Sequence, residues 1–393
     1  MTRSQKNTVL INLLSVRAGG QVTRAKAFLA RVRQHDPYSA LIVLQAASSS
    51  DFADYSRLDL EVVPVAFPFR RYVAFQRLTW ENVFLPGLLK RLKVDTYISF
   101  SHYLPLTFPT SVHSLVGVSN LAPLAKAAWE AERYGVKARM LLQKHAILSS
   151  VRRAAKVLAL SETCKELLVR NGIDSEDIFV SPNGVEQSLC ESSSSDNLLR
   201  TYALDCQYVL YVSHFHRYKN HLRLIDAFAM LPVSARATVK LALVGEPFNR
   251  GYYREVLAKV TKKGLKDRVV VIPGLSREEL SSLYSNATLF VFPSLIENSP
   301  NILLEAMCFG LPILSSAFAP MPEFCGRAAI YFDPYSISDM CNKLEWCLCD
   351  KDHRDEIGRS AKTRSRRYSW DTFTENVISQ YLHRPQSGVS RSA

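Results

Sequence analysis

No apolar run in the chain approaches the ~18–20 residues that a spanning helix needs, which excludes a helical transmembrane protein. The only early apolar stretch, residues 9–16, is broken by Asn12 and runs into Arg17 without a small-residue cleavage site. It reads as a first strand, not as a secretory signal. The eight cysteines include no CxxC pair and no histidines at ligand spacing, so neither a disulfide framework nor a zinc site is expected. Buried free thiols in a reducing cytosol are. A full GxGxxG and a Walker loop are also missing. Charged residues are 22% and hydrophobic residues 47%, which excludes a largely disordered chain.

What is present is length enough for two domains. The 393 residues exceed one ordinary core at ~100–200 residues per domain. Short apolar β-rich runs at 8–16, 40–45, 61–65, 96–100, 112–118, 157–160 and 178–181 alternate with helical stretches. After a serine-rich polar segment at 188–197 a second such series begins: 208–212, 239–244, 269–272, 289–292, 312–315 and 329–332. Near-continuous apolar strands separated by helices argue for an α/β chain of two Rossmann-like, doubly wound domains. The expected division is 1–187, a linker at 188–200, and 201–367. An amphipathic helix at 368–384 returns to the first domain, and a disordered tail covers 385–393. Ligands of such sheets sit beyond the carboxyl ends of the strands, so a cleft faced by both domains is the expected site.

The balance is basic, 49 Lys and Arg against 36 Asp and Glu. The excess lies mainly in residues 1–190, at 24 against 15. An anionic partner or a merely soluble surface both account for it. Within residues 67–93, Arg70, Arg71, Lys90, Arg91 and Lys93 interleave with aromatics, a pattern suited to an anionic membrane interface. Most of those aromatics are expected to pack on the sheet.

Three further stretches could carry chemistry. In FPSLIENSPNILLEAMCFGLPIL, Glu297 and Glu305 flank Asn298, Ser299, Pro300 and Asn301, where a helix begins after a strand. First-turn N–H groups there would suit a phosphate; a carboxylate that only complements the helix dipole is the alternative. In LYVSHFHRYKNHL, His214, His216, Arg217, Lys219 and His221 crowd a strand end. Phosphate binding and a solvated basic turn both fit, and a metal is disfavoured because no carboxylate lies within the run. Gly19 and Gly20 form a short turn that allows close backbone approach, or simply a tight turn.

Taken together these stretches resemble glycosyltransferase family 4, the group 1 retaining nucleotide-sugar enzymes of the GT-B fold. The resemblance is strongest where Glu297, Glu305, Ala306, Met307, Gly310 and Pro312 stand in the Glu-x7-Glu and EAM-x-x-G-x-P pattern. It implies transfer of a sugar from a nucleotide diphosphate to an acceptor hydroxyl, in bacterial surface polysaccharide or glycolipid synthesis. By the same resemblance Lys219 meets the diphosphate, with His214 where many members carry arginine, and Glu297 holds the sugar. Glu305 binds the ribose, and the backbone of Asn298 to Asn301 supports the phosphates. Gly274 and Leu275 lie in the base-contacting loop, Gly19 and Gly20 face the phosphates, and His102 or Asn120 is the counterpart of a histidine near the first domain's strand ends. No metal or other cofactor is implied. The implied partners are the nucleotide sugar, an acceptor glycan or lipid-linked sugar and an anionic membrane surface, with a cytoplasmic location at the inner face. Two rivals remain: a non-catalytic scaffold or partner subunit, and another GT-B enzyme such as a nucleotide-sugar epimerase. A nucleic-acid binder explains the charge but not the second-half motifs.

Overall fold

Thirteen of the apolar runs form strands in a computed structural model that describes residues 7–16, 19–36, 40–47, 60–191 and 196–382. Residues 192–195 of the expected linker and the 385–393 tail lie outside the described residues. In the first half the strands are β1 (Thr8–Asn12), β2 (Ala40–Ala46), β3 (Glu61–Val65), β4 (Thr96–Ser99), β5 (His113–Gly117), β6 (Lys156–Ala159) and β7 (Ile178–Val180). The second half has β8 (Gln207–Val212), β9 (Val239–Val244), β10 (Val269–Ile272), β11 (Leu289–Phe292), β12 (Ile313–Ser316) and β13 (Ile330–Phe332).

The strands make two sheets, ordered β3-β2-β1-β4-β5-β6-β7 and β10-β9-β8-β11-β12-β13. The pairings within each are parallel, for example Leu10 beside Ile42 and Tyr97. Each order reverses beside its first strand, the doubly wound pattern that opens a crevice at the strands' carboxyl ends. The first strand is shorter than its apolar run suggests. Asn12 ends it by accepting the Leu14 N–H on Oδ1 at 2.9 Å, which turns the chain. Its Nδ2 donates to Glu81 Oε1 at 2.8 Å and to the Tyr97 hydroxyl at 2.7 Å.

The chain divides into two compact units. Unit 1 comprises the described residues of Met1–Asn120, Leu141–Gly184 and Trp370–Ala393; unit 2 comprises Leu121–Met140 and Val185–Ser369. The 121–140 segment therefore departs from an unbroken first domain. Polar contacts hold it within unit 2: Arg133 pairs with Glu255 at 2.7 Å, and the Tyr335 hydroxyl donates to Glu130 at 3.5 Å. The segment after residue 187 is not a bare connection either, since Leu189 is buried and Cys190 is disulfide-bonded to Cys308, with Cα atoms 6.5 Å apart. That pair departs from the expectation of free thiols, which the other six cysteines meet, four of them buried. The turn at 187–191 packs on the Asn301–Cys308 helix, bringing together cysteines distant in sequence. Cys206 and Cys349 are exposed, while Cys164, Cys325, Cys341 and Cys347 are buried thiols.

The unit 1 core is built from Val9, Ile11, Phe28, Ile98 and Phe100, closed by Trp370, Phe373 and Val377 of the Trp370–Val377 helix. Arg24, on the Gly20–His35 helix, is only 2% exposed. Its guanidinium donates to Ser119 Oγ at 2.5 Å, to the Phe100 carbonyl at 3.3 Å and to Asn183 Oδ1 at 3.3 Å. One side chain thus ties together the loops that follow β4, β5 and β7. Burial lowers its pKa to about 10, so it stays charged near neutrality. Arg24→Ala is expected to cost ~3 kcal/mol or more, because it leaves a cavity and unpaired buried acceptors. Arg24→Met, which keeps the volume, should cost less. Urea unfolding checks this, and an unchanged midpoint for Arg24→Ala would contradict it.

Candidate functional site

At the switch point of unit 2, β8 and β11 lie side by side and their following loops are locked together. The Leu295 N–H donates to the Tyr218 carbonyl at 2.8 Å. The buried Tyr211 hydroxyl donates to the Lys219 carbonyl at 2.8 Å and contacts Ser294 Oγ at 3.3 Å. Lys219 ends a short 3-10 turn, and its Nζ pairs with Glu297 Oε1 at 2.5 Å. The side chains are 14% and 12% exposed, so the pair is largely shielded from water without being sealed from it.

Glu297 is followed by Asn298, Ser299 and Pro300, and the helix Asn301–Cys308 starts as the sequence predicts. Pro300 caps it without a side-chain hydrogen bond, and its first turn carries no acidic residue. Its N-terminal dipole therefore meets no local carboxylate cap. Glu305 sits on the same helix and accepts a hydrogen bond from the Tyr284 hydroxyl at 3.2 Å. Burial raises the Glu305 carboxyl to about 7, against the opposing pull of Arg277 and Tyr284. Sequence reasoning missed Tyr284, which a separate helix brings in; only the folded chain reveals that partner.

A carboxyl raised in the folded state favours folding fully below its ordinary pKa of 4.5, and that contribution fades as pH climbs through about 7. Wild type should therefore lose stability relative to Glu305→Gln over that window. Urea melts across the pH range check it, and a pH-independent difference would contradict it.

The histidine run is less cationic than its sequence suggests. Burial lowers His214 and His216 to about 4, with Lys219 adding to both shifts. His214 meets Phe248 edge-on at 4.6 Å, and His216 stacks on Tyr218 at 5.3 Å. His221 is fully buried against Phe215, at 4.6 Å, and burial lowers it to about 3. Arg217 is committed to Glu255. Lys219 is thus the cation of this run that pairs with Glu297, and the expected five-member basic patch is corrected by burial and pairing. Among the described residues no group of three or more His, Cys, Asp and Glu is placed to hold a metal.

Gly274 lies in the turn after β10 at φ +78°, where a Cβ would run into the Glu246 carboxylate; Leu275 follows, packed on the core. In unit 1, Gly19 caps the first helix at φ 62°, a conformation that favours glycine, and Gly20 begins the helix. His102 and Asn120 each lie three residues past the ends of adjacent strands, β4 and β5. Burial lowers His102 to about 4, and its Nδ1 has no hydrogen-bond partner. Among the described residues no helix is long and apolar enough to cross a membrane.

Residues 203–364 match the family model described as Glycosyl transferases group 1. Among curated proteins, the chain is 29% identical over 186 residues to O-antigen chain mannosyltransferase B of Escherichia coli, covering 47% of this chain and 48% of that protein. It is 26% identical to a D-inositol 3-phosphate glycosyltransferase of Gordonia bronchialis, covering 61% and 54%. The matches span about half the length of these relatives. Among solved structures, Anabaena HepE in complex with UDP and glucose superposes with a TM-score of 0.71 at 16% identity, covering 96% of this chain and 99% of that one. WaaG, a glycosyltransferase involved in lipopolysaccharide biosynthesis, superposes at 0.70 with 17% identity, covering 95% and 100%. Residues 203–364 are thus similar to the group 1 glycosyltransferases, and the two Rossmann-like units share the GT-B fold of these structures.

Proposed function

We propose that the chain is a hexosyltransferase that moves a sugar from a nucleotide diphosphate to an acceptor hydroxyl with retention of anomeric configuration. The observation that carries this reading is the shielded Lys219–Glu297 pair at the β8–β11 switch point, beside a helix start and with Glu305 on that same helix. In the proposed reaction the bond between the anomeric carbon and the diphosphate oxygen breaks. A bond from that carbon to the acceptor oxygen forms on the same face, and the acceptor proton passes to the departing phosphate. Lys219 and the Asn298 to Asn301 backbone stabilise the charge that grows on the leaving diphosphate. Glu297 holds sugar hydroxyls, Glu305 accepts from the ribose hydroxyls, and the Gly274–Leu275 turn receives the base. His214, neutral at pH 7, contributes a hydrogen bond in place of a second cation.

In unit 1, Gly19 and Gly20 leave room for phosphate oxygens, and His102 or Asn120 meets the acceptor. The O-antigen and lipopolysaccharide proteins among its relatives support a role in polysaccharide or glycolipid synthesis. The acceptor we propose is a glycan or lipid-linked sugar at the cytoplasmic face of a membrane, and no metal takes part. Incubation with a panel of nucleotide sugars, with and without acceptor glycans, tests the reading by NMR of the product anomer. A retained-configuration glycoside with release of the nucleoside diphosphate is expected. An epimerised nucleotide sugar formed without acceptor would replace the reading with an epimerase, and binding without turnover would replace it with a scaffold.

A further inference from the structure

Most of the aromatics of residues 67–93 are exposed and do not pack on the sheet as their sequence suggests, while Phe67 and Trp80 are half-buried. Phe69 is 66% exposed, Phe75 71% and Phe84 59%, and Tyr72 and Val83 are also exposed. Phe75 and Val83 lie on one side of the Val73–Val83 helix, and Tyr72 stands at its N-cap. Glu81 is on the buried side, 1% exposed. The Phe69 backbone is tied to the helix. The Gln76 amide donates to the Phe69 carbonyl at 2.7 Å, and its Oε1 accepts the Phe69 N–H at 3.3 Å. Beside them a groove of about 430 Å³ is lined by Val63, Val65, Trp80, Phe84, Leu88 and Arg91. Several large exposed apolar side chains in one short segment exceed the single scattered ones of an ordinary surface.

The charge of the segment itself is mostly of one sign. Residues 67–93 contain six basic side chains and a single acid, the buried Glu81, which pairs with Arg77 at 3.3 Å; the exposed Glu61 and Asp95 lie on either side of the segment in sequence. Arg71, Lys90, Arg91 and Lys93 are exposed and pair with no carboxylate among the described residues; the side chain of Arg70 lies outside them.

We propose that this face of unit 1 docks on an anionic lipid bilayer. Phe69, Tyr72, Phe75 and Phe84 enter the interfacial region, Arg71, Lys90, Arg91 and Lys93 meet lipid phosphates, and the groove takes hydrocarbon with Arg91 at its rim. Exposed aromatic rings interleaved with exposed cations suit the layering of a bilayer surface, apolar below and anionic above. The proposal deepens the reading of a lipid-linked acceptor and rests on it for its purpose, not for its geometry.

Flotation with extruded vesicles tests it, comparing phosphatidylcholine alone with phosphatidylcholine containing phosphatidylglycerol. The full chain should float with the anionic vesicles and less as salt rises. Joint Arg71→Ser, Lys90→Ser, Arg91→Ser and Lys93→Ser changes should weaken binding roughly fivefold per cation, over a hundredfold together. Joint Phe69→Ser, Phe75→Ser and Phe84→Ser changes should abolish the binding that survives high salt. No flotation of folded protein at low salt, or equal flotation of all variants, overturns the proposal. So does a concentration-dependent dimer that the aromatic changes dissolve in a chain that ignores vesicles, since a second copy would then cover the face. Calorimetry with nucleoside diphosphates on the same preparations separates the two readings. Nucleotide binding without vesicle binding sinks only the surface; vesicle binding without nucleotide binding sinks only the transferase.

Discussion

Glu297→Gln is expected to lower turnover about a hundredfold or more while nucleoside diphosphate still binds. Glu297 sits in the loop between β11 and the Asn301–Cys308 helix, where it holds Lys219 at 2.5 Å. In the proposed reaction the arriving diphosphate draws on the same ammonium. Glutamine keeps the shape of the side chain but loses its charge, which weakens its hold on both Lys219 and the sugar hydroxyls. Removing the competing carboxylate should leave nucleoside diphosphate affinity equal to wild type or slightly tighter. A fall in turnover with intact product binding marks an interaction made chiefly in the transition state. Steady-state kinetics paired with calorimetry checks both halves. A variant that turns over normally would make the pair structural.

Lys219→Ala should weaken nucleoside diphosphate binding roughly ten- to hundredfold, the ~1.5–3 kcal/mol of a charge-assisted hydrogen bond. The single change also strands Glu297 at 12% exposure. Some loss of stability is therefore expected alongside the loss of affinity. The double variant Lys219→Ala with Glu297→Gln removes the stranded charge. Stability should recover in part while affinity stays low, and that split separates binding from folding. Equal affinity in all four proteins by calorimetry would remove Lys219 from the site.

The strands were legible because residues buried on both faces of a parallel sheet must be apolar almost without interruption. The Glu297–Glu305 spacing was legible because both residues belong to one strand–loop–helix segment. What escaped is what depends on packing between distant segments. Tyr284 reaches Glu305 from another helix, and Glu255 neutralises Arg217 from another again. His221 looks like one more cation in a basic run, yet in the fold it is a buried aromatic against Phe215. The 121–140 segment belongs to unit 2 through Arg133 and Glu130, side chains with nothing unusual in their local sequence. Cys190 and Cys308 are 118 residues apart. Phe69, Phe75 and Phe84 misled in the opposite direction, because composition alone does not tell a core aromatic from one that waits for an apolar partner outside the chain.

The central claim is that unit 2 holds a nucleoside diphosphate through Lys219, beside the start of the Asn301–Cys308 helix. A thermal-melt screen of the full chain against a panel of nucleoside diphosphates and their sugar esters tests it most directly. A ligand at about 100 times its dissociation constant stabilises the native state by ~2.7 kcal/mol, a shift well above the noise of such melts. At least one nucleoside diphosphate should raise the melting temperature, its sugar ester should do the same, and Lys219→Ala at equal ligand should lose most of the shift. A folded chain whose melting no member of the panel moves, or a shift that Lys219→Ala leaves intact, would contradict the account.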